Sequence, residues 1–309
     1  MSVKMLSSIN GEIRGSIFAG LSGMLFGLMG YFGTRVIDTN IPVITMLFWR
    51  FVIASLWIAG AFYFSKKSIQ RPIEHENKLW KVVIAIVGSY SLGSLFYFLA
   101  SRYIGTGIAM VIFFSFPVFV IIFSSLAARS LPPRLTIVSM MIVMIGLFLL
   151  KGNDHLGAKM IGIVLAVMAA FCYAFYVYDN NQHAKSFNPT VLTFITCVGN
   201  TLVYLLLSLI FHQFKFPTWN AWFYITMLGI FATALPIQFL LYALKYIPSV
   251  KASIISVLEP VVTITVGVWF LNESMTSLQL LGMIIVLSGA ILTQFEQPEK
   301  LDQATYHER

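Results

Sequence analysis

The sequence predicts an all-α membrane protein with ten transmembrane helices arranged as two inverted five-helix repeats. Three observations lead there: an extreme apolar composition, a regular succession of apolar segments, and a likeness between the two halves of the chain. Of 309 residues, 58% are hydrophobic and only 10% are charged, with a mean hydropathy of +0.85. A soluble domain carries roughly a quarter charged residues. Apolar runs of about 20 residues recur from end to end, as a polytopic membrane protein requires.

The apolar segments fall at 15–37, 42–64, 79–101, 104–127, 134–151, 159–180, 189–211, 221–244, 248–271 and 277–295. They are sized to cross about 30 Å of hydrocarbon. Short polar breaks divide them, such as the stretch from Lys66 to Lys81 or the "LPPR" ending at Arg134. The first segment is too long for a cleaved signal and is read as a retained span. An even number of crossings puts both termini on one side, and basic residues identify the side. Lys4, Arg14, Lys66, Lys67, Arg71, Lys78, Lys81, Arg129, Arg134, Lys185, Lys245, Lys251, Lys300 and Arg309 group with the termini, against Arg35, Arg102, Lys151, Lys159 and Lys215 opposite. Fourteen against five predicts cytoplasmic termini and a multi-pass protein of the cytoplasmic (inner) membrane. The net charge of +8 then belongs to orienting loops, and no nucleic-acid partner is expected. Cys172 and Cys197 lie in spans as small apolar side chains. All five histidines sit in loops or at span ends, so no metal site and no cofactor are expected.

The chain repeats itself. An offset of 143 residues carries the third to fifth segments onto the eighth to tenth without a gap. Phe96, Ala100, Tyr103 and Ile104 meet Phe239, Ala243, Tyr246 and Ile247, and the mid-span Pro117 meets Pro260. An offset of 147 carries Gly15, Ala19, Gly23 and Gly27 of the first segment onto Gly162, Ala166, Ala170 and Ala174 of the sixth. Such small-residue rows let transmembrane backbones approach closely, and packing is their first reading. The expected units are 1–151 and 152–297, with a polar tail at 298–309. Five crossings per unit is an odd number, so the copies must be oppositely oriented, as in alternating-access carriers whose cargo binds near the midplane between repeats.

The closing stretch "LEPVVTITVGVWFLNESMTSLQLLGMIIVLSGAILTQ", with its mid-span proline, loop Glu273 and last-helix Gly282 and Gly289, resembles the EamA-type transporters of the drug/metabolite transporter superfamily. "LFWRFVIA", with Arg50, resembles that family's arginine–phenylalanine signature. The resemblance covers about residues 15 to 295 and departs at Ser130, where the first half lacks a partner for Glu273. It implies a ten-span secondary transporter, with efflux the family default. It does not fix the cargo.

Charge inside a membrane is costly, at least about 2.5–3.5 kcal/mol per side chain on insertion scales, so it faces protein or water. Arg50 lies about 12 Å into the second segment and Glu259 about 16 Å into the ninth, at 1.5 Å per residue. The two are therefore near one level. One reading is an architectural ion pair that sets helix register, and it leads slightly for Arg50. For Glu259 a role with cargo or proton leads, because Pro260 beside it removes a helix donor and frees a carbonyl. Pro117 and Pro236 are the other helix breaks. Polar stripes at helical spacing add Tyr90 and Tyr97, then Tyr173 and Tyr176, and Asn200, with Gln238 beside Pro236 and Trp49 beside Arg50. Tyrosines near span ends, including Tyr204, read as interfacial anchors.

The leading functional reading is a carrier, not an enzyme, that moves a small polar or zwitterionic, amino-acid-like metabolite, as an exporter. Protons are a candidate coupling ion, and no Walker loop indicates ATP. The alternative is an importer or exchanger of a nucleotide-like or adenosyl metabolite such as S-adenosylmethionine. A non-transport scaffold or receptor ranks lower. The expected partners are the small-molecule cargo and the bilayer. Monomer and homodimer both stay open.

Overall fold

A computed structural model describes residues 3–65, 79–104, 106–150, 160–183, 187–271, 276–292 and 295. Glu273 and the tail at 298–309 lie outside the described residues. Every regular element among the described residues is helical. Eight helical segments are long and apolar enough to cross a membrane, and two shorter apolar helices accompany them, Arg134–Leu149 and Ser277–Leu292.

Four of the long segments are interrupted. The first consists of α1 (Val3–Phe26) and α2 (Met29–Ile37); α3 (Val43–Ser65) and α4 (Leu79–Ile104) follow unbroken. Next come α5 (Thr106–Phe113) and α6 (Phe116–Ala128), α7 (Arg134–Leu150), α8 (Met160–His183) and α9 (Pro189–Ile210). α10 (Trp219–Gly229) passes through a π-helical turn at Ile230–Ala234 into α11 (Leu235–Leu244), and α12 (Ser249–Ile255), α13 (Leu258–Leu271) and α14 (Ser277–Leu292) complete the chain. Three of the breaks have one cause. Pro117, Pro236 and Pro260 each stand in the first turn of the second half-helix, where a residue without an N–H is tolerated. The break between α1 and α2 has no proline and falls at Gly27 and Leu28.

Packing between the two halves is reciprocal. α1 runs antiparallel to α11, and a Cβ on Gly15 would come within 2.8 Å of Ile247 and 2.9 Å of Tyr246. α4 runs antiparallel to α8, and a Cβ on Gly162 would meet Ile104 at 2.5 Å and Tyr103 at 2.8 Å. These are the same contacts carried from one half to the other by the sequence offsets. α7 and α14 repeat the relation, Gly146 against Val286 and Gly289 against Val143, each at 2.7 Å. Lipid supplies no hydrophobic drive for helix association, so this close fit and its dispersion contacts hold the bundle. The outward faces of α7 and α14, including Met141, Phe148, Ile284 and Ile291, are exposed and apolar, as lipid contact requires.

Tyr204 departs from its expected role as an anchor. It is fully buried, donates to Ser91 O at 2.8 Å and stacks on Phe51 at 5.8 Å. Its position on the face of α9 that meets α3 and α4 outweighs its distance along the chain. Most threonines and serines instead bond within their own helix, as Thr193 does to Pro189 O and Thr196 to Leu192 O, both at 2.9 Å.

Candidate functional site

Three of the four helix breaks border one cavity. α1 and α2 contribute Phe26 and Met29 at their junction, α3 contributes Arg50, and α13 contributes Glu259 beside its first residue. α4 lays Tyr90, Gly93, Ser94, Tyr97 and Phe98 along one side, and Phe113 of α5 and Tyr173 of α8 close the wall. The wall is a run of ring contacts: Phe113 lies 5.2 Å from Tyr97 and 5.3 Å from Tyr173, and Tyr173 lies 6.1 Å from Tyr90. Such edge and offset contacts favour stiff, pre-shaped walls.

Arg50 is the eighth residue of α3 and is 1% exposed. Its Nε–H donates to Thr233 Oγ1 at 2.6 Å, and Thr233 sits in the π-helical turn. Nη2 donates to Tyr90 OH at 3.3 Å and Nη1 approaches Met29 Sδ at 3.2 Å, while the guanidinium lies 5.0 Å from the Phe51 ring centroid. The bond to Thr233 is firm. The other two partners are a long contact and a weak thioether acceptor, so the cavity-facing end of the guanidinium keeps donor capacity.

Glu259 is 8% exposed. Among the described residues no group donates a hydrogen bond to its carboxylate, and no ion pair joins it to Arg50. The backbone around it is tightly held: a Cβ on Gly27 would lie 2.9 Å from Glu259 O, and Thr263 Oγ1 donates to Gly27 O at 2.9 Å. The carbonyl freed by Pro260 is not left open. Ser256 O accepts from the Glu259 N–H at 3.0 Å, because the chain tightens to a three-residue turn at the break. The cavity therefore gains its polarity from side chains rather than from that carbonyl.

Of the residues expected from sequence, Arg50, Tyr90, Tyr97, Tyr173 and Glu259 come together at this cavity. Tyr176 stands behind the wall, fully buried, with its ring 4.8 Å from Tyr90 and 5.8 Å from Tyr173. Trp49 points elsewhere, since adjacent helical residues diverge by about 100°. Its Nε1–H donates to Lys215 O at 3.0 Å, and its ring packs on Phe48 and Trp222. Asn200 braces α9 against α4, accepting from Ser91 Oγ at 2.7 Å and donating to Thr196 O at 2.8 Å. Gln238 Nε2 donates to Thr190 Oγ1 at 3.1 Å, tying α11 to α9. Pro117, Pro236 and Pro260 are all buried at their breaks.

Met29, Phe26, Phe113 and Thr233 were not expected at the site. Met29 and Phe26 border a break that no proline announces, although Gly27 was visible as part of a small-residue row. Thr233 precedes Pro236 by three residues and could have been suspected as a hydroxyl near a helix defect. No group of three or more metal-ligating side chains occurs among the described residues.

The EamA-like transporter family profile matches residues 13–151 and again 160–295. An uncharacterized transporter of Archaeoglobus fulgidus is 24% identical over 60% of the chain, and the match spans 65% of that relative, just under two thirds of its length. The uncharacterized transporter YxxF of Bacillus subtilis is 24% identical over 88% of the chain and 87% of its own. The threonine/homoserine exporter RhtA of Escherichia coli is 27% identical over 66% of the chain and 69% of its own. One solved crystal structure superposes with a TM-score of 0.78 over 90% of the chain and 96% of its own, at 14% identity, a likeness of fold alone.

Proposed function

Because the chain belongs to the EamA-like transporter family of the drug/metabolite transporter superfamily, we propose that it is a secondary carrier exporting a small zwitterionic, amino-acid-like metabolite across the cytoplasmic membrane by alternating access. The ten crossings are the eight long segments with α7 and α14, arranged as two inverted repeats over 1–151 and 152–297. Reciprocal glycine contacts between the halves support that reading, as does the odd number of crossings in each. Both termini face the cytoplasm, on the strength of the basic-residue count.

The observation that carries the cargo class is the placement of Arg50 and Glu259. Opposite charges line one cavity without bonding to each other. A cargo with both an anionic and a cationic group bridges them, its carboxylate on the free end of the guanidinium and its ammonium on Glu259. Each buried charge is then paired, which lowers the desolvation penalty that either carries alone. The aromatic wall accepts the rest of the molecule. In alternating access, the bridge forms in the cavity and breaks as the half-helices at the breaks shift against each other.

The similarity to RhtA supports export and an amino-acid cargo. The continuous aromatic wall favours a second reading, a zwitterionic adenosyl compound that stacks its base on Tyr97 or Phe113. Counterflow in proteoliposomes loaded with unlabelled amino acids, S-adenosylmethionine or nucleosides tests both. Exchange of a labelled amino acid, and none of S-adenosylmethionine or a nucleoside, supports the proposal. Absence of exchange with every zwitterion, together with uptake of a nucleoside, defeats it.

A further inference from the structure

Away from the cavity, Lys251 lies in α12, the half-helix preceding the break that leads to Glu259. It is a lysine 8% exposed at the start of a helix, where the backbone dipole disfavours a cation. Its Nζ pairs with Glu12 Oε1 of α1. Among the described residues this is the sole ion pair that joins two helices. α12 is buried along its whole length, and Ser249 at its start approaches Ser124 of α6 at 3.4 Å. Beside it, Asn181 Nδ2 of α8 donates to Leu244 O at 2.9 Å and Ile247 O at 3.3 Å. A Cβ on Gly15 of α1 would come within 3.3 Å of Ala243 O of α11. At this end of the bundle α1, α6, α8, α11 and α12 are thus closed on one another. The cavity lies beyond the break at Ser256 and Val257, with Phe26 about 21 Å along α1 from Glu12.

The offsets that relate the two halves show that this ion pair has no twin. Glu12 corresponds to Lys159 and Lys251 to Ile108, a cation and an apolar side chain that form no ion pair. The packing is reciprocal between halves; the charge pair is not.

We propose that Glu12 and Lys251 are positioning residues for transport: their ion pair holds α12 against α1 so that the carrier rests closed on the side of the termini, and its separation lets α12 swing at the Ser256–Val257 break and open the Glu259 cavity there. The proposal rests on the carrier reading and on cytoplasmic termini. Both residues act through α12 and touch no cargo. A closed end secured by an ion pair opens more readily once the charge is lost, and among the described residues no second ion pair joins helices at the opposite end.

The test uses the full chain with Cys172→Ser and Cys197→Ser and a single reporter, Ser249→Cys, in inside-out vesicles exposed to a membrane-impermeant maleimide. With Glu12 and Lys251 intact, labelling is slow. Glu12→Gln raises the labelling rate roughly fivefold or more, the scale of an ordinary coupling between two states. Glu12→Lys raises it as well, and the charge swap Glu12→Lys with Lys251→Glu restores slow labelling and transport. Glu12 is only partly buried, so its variants spare the fold where Lys251→Ala could lose it. Unchanged labelling in Glu12→Gln, or a swap that stays fast, overturns the proposal, as does faster labelling that is seen only in right-side-out vesicles. No cargo is needed for this readout. A Glu259→Gln protein that transports normally removes the cargo site and leaves the labelling result standing.

Discussion

Arg50 Nε–H donates to Thr233 Oγ1 at 2.6 Å, and Thr233 Oγ1 in turn donates to Leu228 O at 2.7 Å, five residues back. The arginine of α3 is thereby tied to the π-helical turn between α10 and α11. An i−5 carbonyl is available only because the helix is widened there. The same hydroxyl satisfies both a helix defect and a buried charge.

Thr233→Val keeps the shape and removes the hydroxyl. The buried Nε–H loses its partner, which costs about 1–3 kcal/mol. The expected outcome is a lower Tm in detergent and weaker cargo binding. An unchanged Tm with normal transport contradicts the role given to this contact.

At Gly27, in the break after α1, the chain passes close against α13. A Cβ there would sit 2.7 Å from Val262 Cβ and 2.9 Å from Glu259 O. Gly27→Ala must push the helices apart, at about 1–3 kcal/mol, and it displaces Glu259 from the cavity wall. Transport is expected to fall sharply. Gly60→Ala is the control, since a Cβ there meets nothing within 4 Å, and it is expected to leave Tm and transport unchanged.

Tyr97 stands in the aromatic wall, 5.2 Å from Phe113 and 5.3 Å from Phe98. Tyr97→Ala removes one ring contact to the cargo, worth about 0.5–1.5 kcal/mol, or roughly 2- to 10-fold in affinity. The KM for a zwitterion with a large side chain is expected to rise by that factor, and that for a small one to change little. Equal changes for both place the ring outside the cargo path.

Much of this was legible in the sequence because membrane helices leave few choices. Pro117, Pro236 and Pro260 marked real breaks, since proline cannot donate within a helix. The small-residue rows marked the close approaches at Gly15, Gly27 and Gly162, since nothing larger fits there. Arg50 and Glu259 stood out because charge is costly in lipid. What could not be read was side-chain direction. Trp49, Asn200 and Gln238 satisfied the same polarity and spacing criteria as Tyr90 and Tyr97, yet they brace neighbouring helices. A polar side chain in a span must find a partner, and sequence alone does not say whether that partner is protein or cargo. The break at Gly27 and Leu28 was also hidden, because no proline marks it.

Glu259→Gln keeps the size of the side chain and removes its charge. The ammonium of a bound zwitterion loses its counter-ion, while the contact with Arg50 remains. Loss of zwitterion transport is expected, with the protein still folded and of similar Tm. Arg50→Gln is expected to lower stability as well, because Arg50 also holds Thr233 and Tyr90.

The central claim is that one cargo bridges Arg50 and Glu259. Its most direct test is competition in proteoliposomes, with a transported amino acid as label and two analogues as competitors, one lacking the ammonium and one lacking the carboxylate. The expected result is that each analogue competes at least roughly tenfold more weakly than the parent, the effect of losing about 1.4 kcal/mol, and that Glu259→Gln removes the preference for an ammonium. Equal competition by the parent and both analogues would contradict the bridge.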